Sequence, residues 1–478
     1  MFVIGLDQGT TSTRAIAFDE KGTPIYIAQR PLRQIYPQPG WCEHDPIDIL
    51  SSSVSVLEEL VSKLPANTIA GVGITNQRET LIAWRRSTGQ PLHNAIVWLD
   101  VRTDELIGRY DHMNRYRPIT GLPVSSYFSA LKIVWLIENV KEVKEAILEE
   151  DCCFGTVDAW LCFKLIGKFV TDATNASRYN LMRLDTLQWD PEICSLYDIP
   201  IHTLPQIVPS RGYLGSIIKS SLSHLKVTAL IGDQQAALFG HRCVQPGNSK
   251  VTYGTGAFVL SHKGSDIPAY LPALLTTIAF LDANKEASFA YEGSVGSAGR
   301  LIDFLINLGI ASSQEEFHSL AESVESSEGV SIVPAFSGLL APHWRPDAKT
   351  LIYGMSLATT KAHICRAALE AIALQIDQVL SHVQTENILV DGGMTNSSLL
   401  MQIQADVLGR QLKVANFTEA TAWGAALAAG SHLGVYNDLE NFSASQGGYR
   451  LYNPKMSEDN RDSLRNRYAN VIPRSFGL

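Results

Sequence analysis

The sequence predicts an α/β protein built from two related halves. Three observations carry that expectation. Short strand-like runs alternate with helix-like ones along the chain. A strand, a Gly- and Thr-rich turn and a second strand open the chain, and the pattern partly recurs near residue 250. The 478 residues are enough for two or three domains with sizeable cores.

The first element is a hairpin. Phe2-Val-Ile-Gly-Leu and Arg14-Ala-Ile-Ala-Phe18 flank the turn Asp7-Gln-Gly-Thr-Thr-Ser-Thr13. Such a turn can aim backbone N–H groups and the hydroxyls of Thr10, Thr11 and Ser12 at a phosphate chain. Asp7, at its entrance, suits Mg²⁺ held through water, because Mg²⁺ prefers few carboxylates plus phosphate oxygens. Arg14, at its exit, carries a planar fork that can clamp a terminal phosphate. An ordinary polar β-turn accounts for the same residues, and no Walker A pattern accompanies them.

Ile69–Thr75 reads as a buried strand, Asn94–Asp100 as another, and Val227–Gly232 as a third that leads to Asp233. The second hairpin is Lys250-Val-Thr-Tyr-Gly-Thr-Gly-Ala-Phe-Val-Leu-Ser-His262. A long helix is expected over about 360–382, with Ile364, Ala368, Ile372, Ile376 and Val379 on one stripe and Thr359 or Thr360 as its cap. Asn387–Gly393 ends a strand at a double glycine. A helix follows from about Ser397, with Leu400, Ile403, Val407 and Leu408 on one face. The boundary between halves falls near 241–250. Segments 262–275 and 312–328 read as surface excursions.

Composition excludes several classes. Hydrophobic residues at 45% and charged residues at 18% describe a globular chain. A net charge of −9 argues against nucleic acid or an anionic membrane as the main partner. No apolar run approaches the ~18 residues of a membrane span, and no basic n-region precedes the first strand. A cytoplasmic protein is expected, so the sequons at Asn175, Asn396, Asn416 and Asn441 carry little meaning. The seven cysteines show no Cys-x-x-Cys or metal spacing, which implies reduced thiols.

Two constellations suggest chemistry. Asp233 ends a buried strand between glycine and glutamine, a position suited to a general base; the competing role is a helix N-cap before Gln235-Ala-Ala-Leu-Phe. Arg78-Glu79 pairs a donor with an acceptor, as adjacent hydroxyls of a polyol require, although such pairs also occur on ordinary surfaces.

The chain resembles the FGGY carbohydrate kinases. The matching segments are Leu6-Asp-Gln-Gly-Thr-Thr-Ser, Pro37-Gln-Pro-Gly-Trp-Cys-Glu-His-Asp-Pro46, Gly73-Ile-Thr-Asn-Gln-Arg-Glu-Thr80 and Asn94-Ala-Ile-Val-Trp98. They continue through Phe154-Gly-Thr-Val-Asp-Ala-Trp160, Thr174-Asn-Ala-Ser177, Gly232-Asp-Gln-Gln-Ala-Ala-Leu-Phe-Gly240, Tyr253-Gly-Thr-Gly256, Val333-Pro-Ala-Phe336 and Asp391-Gly-Gly393. The resemblance covers nearly the whole chain and implies two actin-like (ribonuclease-H-like) ATPase domains facing each other across a cleft. Residues 1–243 would hold the polyol and the base, and residues 244–478 the nucleotide. It implies ATP- and Mg²⁺-dependent phosphorylation of a terminal hydroxyl of glycerol, with Asp233 as base. Around the acceptor it places Arg78, Glu79, Trp98, Tyr127, Gln234 and Phe258. On the nucleotide it places Thr11, Arg14, Thr255, Gly299 and Gly393. Taken singly, each aromatic reads as core packing, and the small residues around Gly299 as tight helix packing. The same family includes kinases of other polyols and of ketopentoses.

The chain departs from the family at three places. Thr395-Asn-Ser-Ser398 replaces the usual Asn-Asn, so Ser397 stands at the adenine-contacting position. Leu99-Asp-Val-Arg-Thr103 replaces Gln-Asp-Arg-Arg-Thr, behind the acceptor pocket. Ile217-Ile-Lys-Ser-Ser-Leu-Ser-His224 lacks the glycines of a loop used for sugar-bisphosphate inhibition, which implies that this feedback is absent. The Ser397 change also suits a catalytically silent nucleotide-binding protein. Shortened later loops bear on a homo-oligomer.

Overall fold

The computed structural model describes residues 1–65, 67–436 and 448–477. Two twisted sheets carry it. The first has six strands, in the spatial order Arg211–Ser216, Lys226–Gly232, Ile69–Asn76, Phe2–Gln8, Ser12–Phe18, Pro24–Pro31. Its three central strands are parallel and buried on both faces, which is why Ile69–Asn76 and Lys226–Gly232 read as near-continuous apolar runs. The second sheet has seven strands, in the order Leu275–Leu281, Ala287–Val295, Ala257–Gly264, Asn248–Tyr253, Asn387–Asp391, Leu412–Ala415, Tyr449–Tyr452.

Both sheets repeat one pairing scheme. In each, a hairpin pairs antiparallel, its first strand pairs parallel with a later strand, a further parallel pair follows, and an antiparallel strand closes that edge. The recurrent Gly-Thr hairpin is therefore the local trace of a duplicated sheet.

The long helix is Lys361–Leu380, and the expected stripe of Ile364, Ala368, Ile372, Ile376 and Val379 is buried. Thr360 and His363 form a capping box at its start. Burial extends well beyond the stripe because a helix at Gln314–Glu322 packs on this one through Phe317 and Ala321. That helix occupies the segment expected as a surface excursion. Its apolar face is a single turn, Phe317, Leu320 and Ala321, too short for a repeating period to stand out. The other excursion ends early, since Leu274 is buried and Leu275 begins a sheet strand. The strand expected over Asn94–Asp100 shrinks to Ala95–Ile96. Past it, Asp100 accepts bonds from the N–H groups of Cys42 (2.6 Å) and Arg102 (2.9 Å), which holds the chain in a turn.

Two further pieces position the site. A four-stranded antiparallel sheet (Glu43–His44, Ala95–Ile96, Leu81–Arg85, Cys152–Thr156) and its helices form a separate core. This piece carries Trp98 and Tyr127. The helix Ala420–His432, from the second half of the chain, lies on the first sheet. A Cβ at Gly5 would come within 2.0 Å of the Ala422 carbonyl oxygen, and one at Gly73 within 2.0 Å of that of Ala425. Only glycine permits so close an approach.

All seven cysteines are unpaired and buried. Among the described residues, no helix is long and apolar enough to cross a membrane. Asn175 is buried and bonded to Asn76 and Asp172; Asn441 lies outside the described residues.

Candidate active site

Parallel strands deliver their carboxyl ends to one crevice, the usual place for a ligand in an open α/β sheet. Here Phe2–Gln8 runs into the turn at Thr10 and Thr11, Lys226–Gly232 into Asp233, and Asn248–Tyr253 into Gly254, Thr255 and Gly256. The two hairpin turns face each other across one cavity of about 310 Å³. Arg78, Glu79, Asp233 and Gln234 line it too, together with Trp98, Tyr127 and Phe258. The rings of Tyr127 and Phe258 meet Trp98 edge-on, with centroids 5.9 and 5.8 Å away. The Trp98 indole N–H donates to Thr10 Oγ1 at 2.9 Å, tying the aromatic wall to the first turn. Gln34, Tyr36, Leu99, Thr252 and Arg300 complete the lining and were not expected from sequence.

Beneath the cavity lies a buried charge network. Arg78 donates from Nη1 and Nη2 to Glu292 at 2.7 Å each, and from Nη1 to Gln235 Oε1 at 3.0 Å. Arg178 Nε donates to Glu79 at 2.5 Å, and its Nη2 to Glu292 at 3.1 Å. Arg78 Nε stands 3.3 Å from Asp233 Oδ1, which also accepts the Gln234 N–H at 2.6 Å. Lys250 donates to the Gln234 side-chain oxygen and, at 2.8 Å, to Thr252 Oγ1. Three cations thus face three carboxylates, Glu79, Asp233 and Glu292. Glu79 holds a left-handed backbone (φ 59°), a conformation that non-glycine residues keep only where their surroundings impose it.

This arrangement sets the protonation of each group. The two arginines overcome burial at Glu292 and hold its carboxyl down at about 2. Asp233 is raised by burial, against the opposing pull of Arg78 and Lys250. Burial also raises Glu79, against Arg178 and Arg78. Burial lowers the Lys250 ammonium to about 8 and raises the Tyr127 phenol. Asp7 is pushed up to about 7, chiefly by burial, with Arg14 opposing and Asp233 and Glu419 adding to the rise. No group of three or more metal-ligating side chains occurs among the described residues. A half-buried carboxylate repelled by two others is nonetheless a donor set that fits one hard divalent cation whose remaining ligands are phosphate and water.

Several expected residues stand elsewhere. Arg14 does not line the cavity; it ion-pairs with Glu419, reaching across to the second half of the chain. Ser12 accepts a bond from Gln29 at 3.0 Å instead of lining the cavity. Gly299 opens the helix Gly299–Asn307 and donates its N–H to Gly254 O at 3.0 Å, so it supports the second turn from behind. Gly393 is exposed beyond the strand end at Asp391. Ser397 caps the helix Ser398–Leu408 by accepting the Leu400 N–H at 3.2 Å, and its hydroxyl also meets His318. Asp233 is the first residue of Asp233–Gly240, not its N-cap, which is Gly232.

Sequence reasoning missed Glu292, Arg178, Lys250 and Glu419. Lys250 left one signal, a lone cation inside a buried strand of the second hairpin. Arg178 directly follows Thr174-Asn-Ala-Ser177, a segment already singled out.

Comparison with known proteins extends this picture. The N-terminal-domain profile of the FGGY family of carbohydrate kinases matches residues 2–240, and the C-terminal-domain profile matches residues 249–433. A glycerol kinase of Brucella anthropi is 44% identical over 100% of this chain and 99% of its own length. A glycerol kinase of Acidiphilium cryptum is 42% identical over 99% of both. Among solved structures, Plasmodium falciparum glycerol kinase with ADP superposes with a TM-score of 0.91 at 35% identity, covering 99% of this chain and 98% of that one. A xylulose kinase of Lactobacillus acidophilus superposes at 0.89 and 21% identity, covering 100% and 99%, a likeness of fold alone.

Proposed function

The chain belongs to the FGGY family of carbohydrate kinases, and from that premise we propose that it transfers the γ-phosphoryl group of ATP to a terminal hydroxyl of glycerol. The observation that carries this reading is the cavity itself. A carboxylate, a donor–acceptor floor and a three-ring wall sit between two turns of the type that cradles phosphate.

Phosphoryl transfer needs positioning and charge neutralisation more than covalent help. Asp233 Oδ1 is engaged by the Gln234 N–H and approached by Arg78, so Oδ2 is assigned the acceptor's proton. As that O–H bond breaks, the acceptor oxygen bonds to the γ-phosphorus. The bond to the bridging oxygen breaks on the opposite side, releasing ADP. Burial raises the proton affinity of Asp233 and makes it a better base, while Arg78 and Lys250 oppose that rise. Lys250 holds the side-chain oxygen of Gln234, which leaves that amide's N–H₂ to donate to a substrate hydroxyl. Glu79 accepts from a second hydroxyl. Arg78 has both terminal nitrogens committed to Glu292, so its role is to fix the charge beside Asp233. Trp98 and Phe258 face the C–H surface of the triol. Asp7 would hold Mg²⁺, which when bound neutralises the β- and γ-phosphate oxygens. Thr10, Thr11 and Thr255 would receive the phosphate chain, and Gly299, Gly393 and Ser397 would lie toward the adenosine.

Coupled ADP release with glycerol, xylulose, ribulose and no acceptor tests the proposal. Glycerol-dependent turnover is expected. Turnover on a ketopentose without glycerol overturns the acceptor; ATP binding without any acceptor-dependent turnover overturns the kinase reading in favour of a silent nucleotide-binding protein.

A further inference from the structure

Beside the cleft lies a larger chamber, of about 420 Å³. It shares Trp98, Leu99, Tyr127 and Arg300 with the cleft but extends away from Asp233, Gln234 and both phosphate-type turns. Its volume falls in the range of organic-ligand pockets. Its apolar wall comes from both halves of the chain: Val101, Ile107 and Val124 from the first, Tyr270, Leu340 and Trp344 from the second.

One residue in this wall is electrostatically incomplete. Arg117 lines the chamber and is only 9% exposed. Its Nη2 donates to the carbonyl oxygens of Pro272 (2.6 Å) and Leu274 (3.3 Å), and its guanidinium lies 5.4 and 5.7 Å from the ring centres of Trp344 and Tyr270. Its Nε is buried with no partner. Among the described residues no carboxylate bears on its charge; burial weakens the cation, and only the Tyr270 phenol, to which it hydrogen-bonds, opposes this. An arginine does not shed its proton at accessible pH, so a buried one without an anion remains an uncompensated charge.

The acids around the chamber do not answer it. Asp100 is spent on Arg102 and the Cys42 N–H. Asp104 bonds to Ser126 and faces Lys132, and Asp111 is exposed and screened by water. Arg300, at the border with the cleft, adds a second cation that forms no ion pair among the described residues.

We propose that this chamber binds a small organic anion with an apolar body, an effector distinct from both substrates, whose acid group pairs with Arg117. Because the walls belong to both halves, its occupant bridges them and holds their relative position. The binding step rests on the chamber's geometry alone and needs neither ATP nor glycerol, so its failure leaves the kinase proposal standing.

The test is calorimetric titration of the full chain with benzoate and hexanoate, alongside 1-hexanol and inorganic phosphate. Saturable binding of the two carboxylates is expected, with neither control matching them. Arg117→Met keeps the side chain's bulk and removes the charge; affinity is expected to fall roughly 10- to 100-fold, as the loss of charge-assisted hydrogen bonds implies. Ser337→Trp fills the chamber from its exposed rim, leaves Arg117 itself in place and should abolish binding, which keeps the proposal testable if Arg117→Met does not fold. Binding should persist in saturating glycerol. Absence of saturable carboxylate binding, equal binding of 1-hexanol or phosphate, unchanged affinity in Ser337→Trp, or displacement by glycerol each overturns it.

Discussion

Replacing Glu292 by glutamine removes the anion on which two buried arginines converge. Glu292 accepts from Arg78 twice at 2.7 Å and from Arg178 at 3.1 Å, and its carboxyl is held from 4.5 down to about 2. That depression converts to roughly 3 kcal/mol of stabilisation. Breaking a buried pair from one side typically costs about 3–5 kcal/mol, so the two routes agree. The sign follows from the direction of the shift. A depressed carboxylate contributes fully above its ordinary value of 4.5, and the contribution fades as pH falls through about 2. Urea unfolding of Glu292→Gln against the parent chain should therefore show a deficit of roughly 3 kcal/mol near pH 7, shrinking to less than half near pH 3. A deficit under about 1 kcal/mol at neutral pH, or one that stays constant on acidification, refutes the network's charge assignment.

Asp233→Asn should reduce glycerol-dependent ADP release by about 10²- to 10⁴-fold while calorimetric ATP binding persists, the signature of a lost general base. Lys250→Met removes a cation that lowers the proton affinity of Asp233, so the acidic limb of the kcat/KM profile should move to higher pH; it should also erase the alkaline limb expected near pH 8, where Lys250 itself discharges. Gly424→Ala places a methyl 1.8 Å from the Ala236 carbonyl oxygen; by thermal unfolding it should destabilise the chain by at least about 1–3 kcal/mol, the usual cost of overpacking. Fructose 1,6-bisphosphate should leave turnover unchanged, given the glycine-free stretch Ile217–His224, and micromolar inhibition would contradict that.

The parts of the fold that were legible in sequence are those set by local pattern. Both hairpins, the strand into Asp233 and the stripe of the long helix follow from alternation and period over adjacent residues. The site was legible where a turn or a strand end dictated it, at Thr10, Thr11, Asp233 and Thr255. It was not legible where charges meet across the fold. Arg78 and Glu79 are neighbours, yet their strongest partners are Glu292 and Arg178, separated from them by 214 and 99 residues. Nothing in a linear pattern distinguishes such a buried pair from a solvated one. Arg14 shows the same limit, since its partner Glu419 is 405 residues away. The 312–328 segment failed for another reason. Only one turn of apolar residues, Phe317, Leu320 and Ala321, marks its inner face, and polar residues dominate the rest.

The helix Ala420–His432 has a consequence for how this chain is made. It covers Val3, Ile16, Phe18, Ala229 and Ile231, with Trp423 against Phe18 at 5.1 Å between ring centres. A ribosome delivers those strands long before it delivers their cover. Until residue 432 emerges, the earliest-made sheet keeps one oily face open to water and to chaperones. The first sheet therefore waits for its cover until the helix Ala420–His432 has been made.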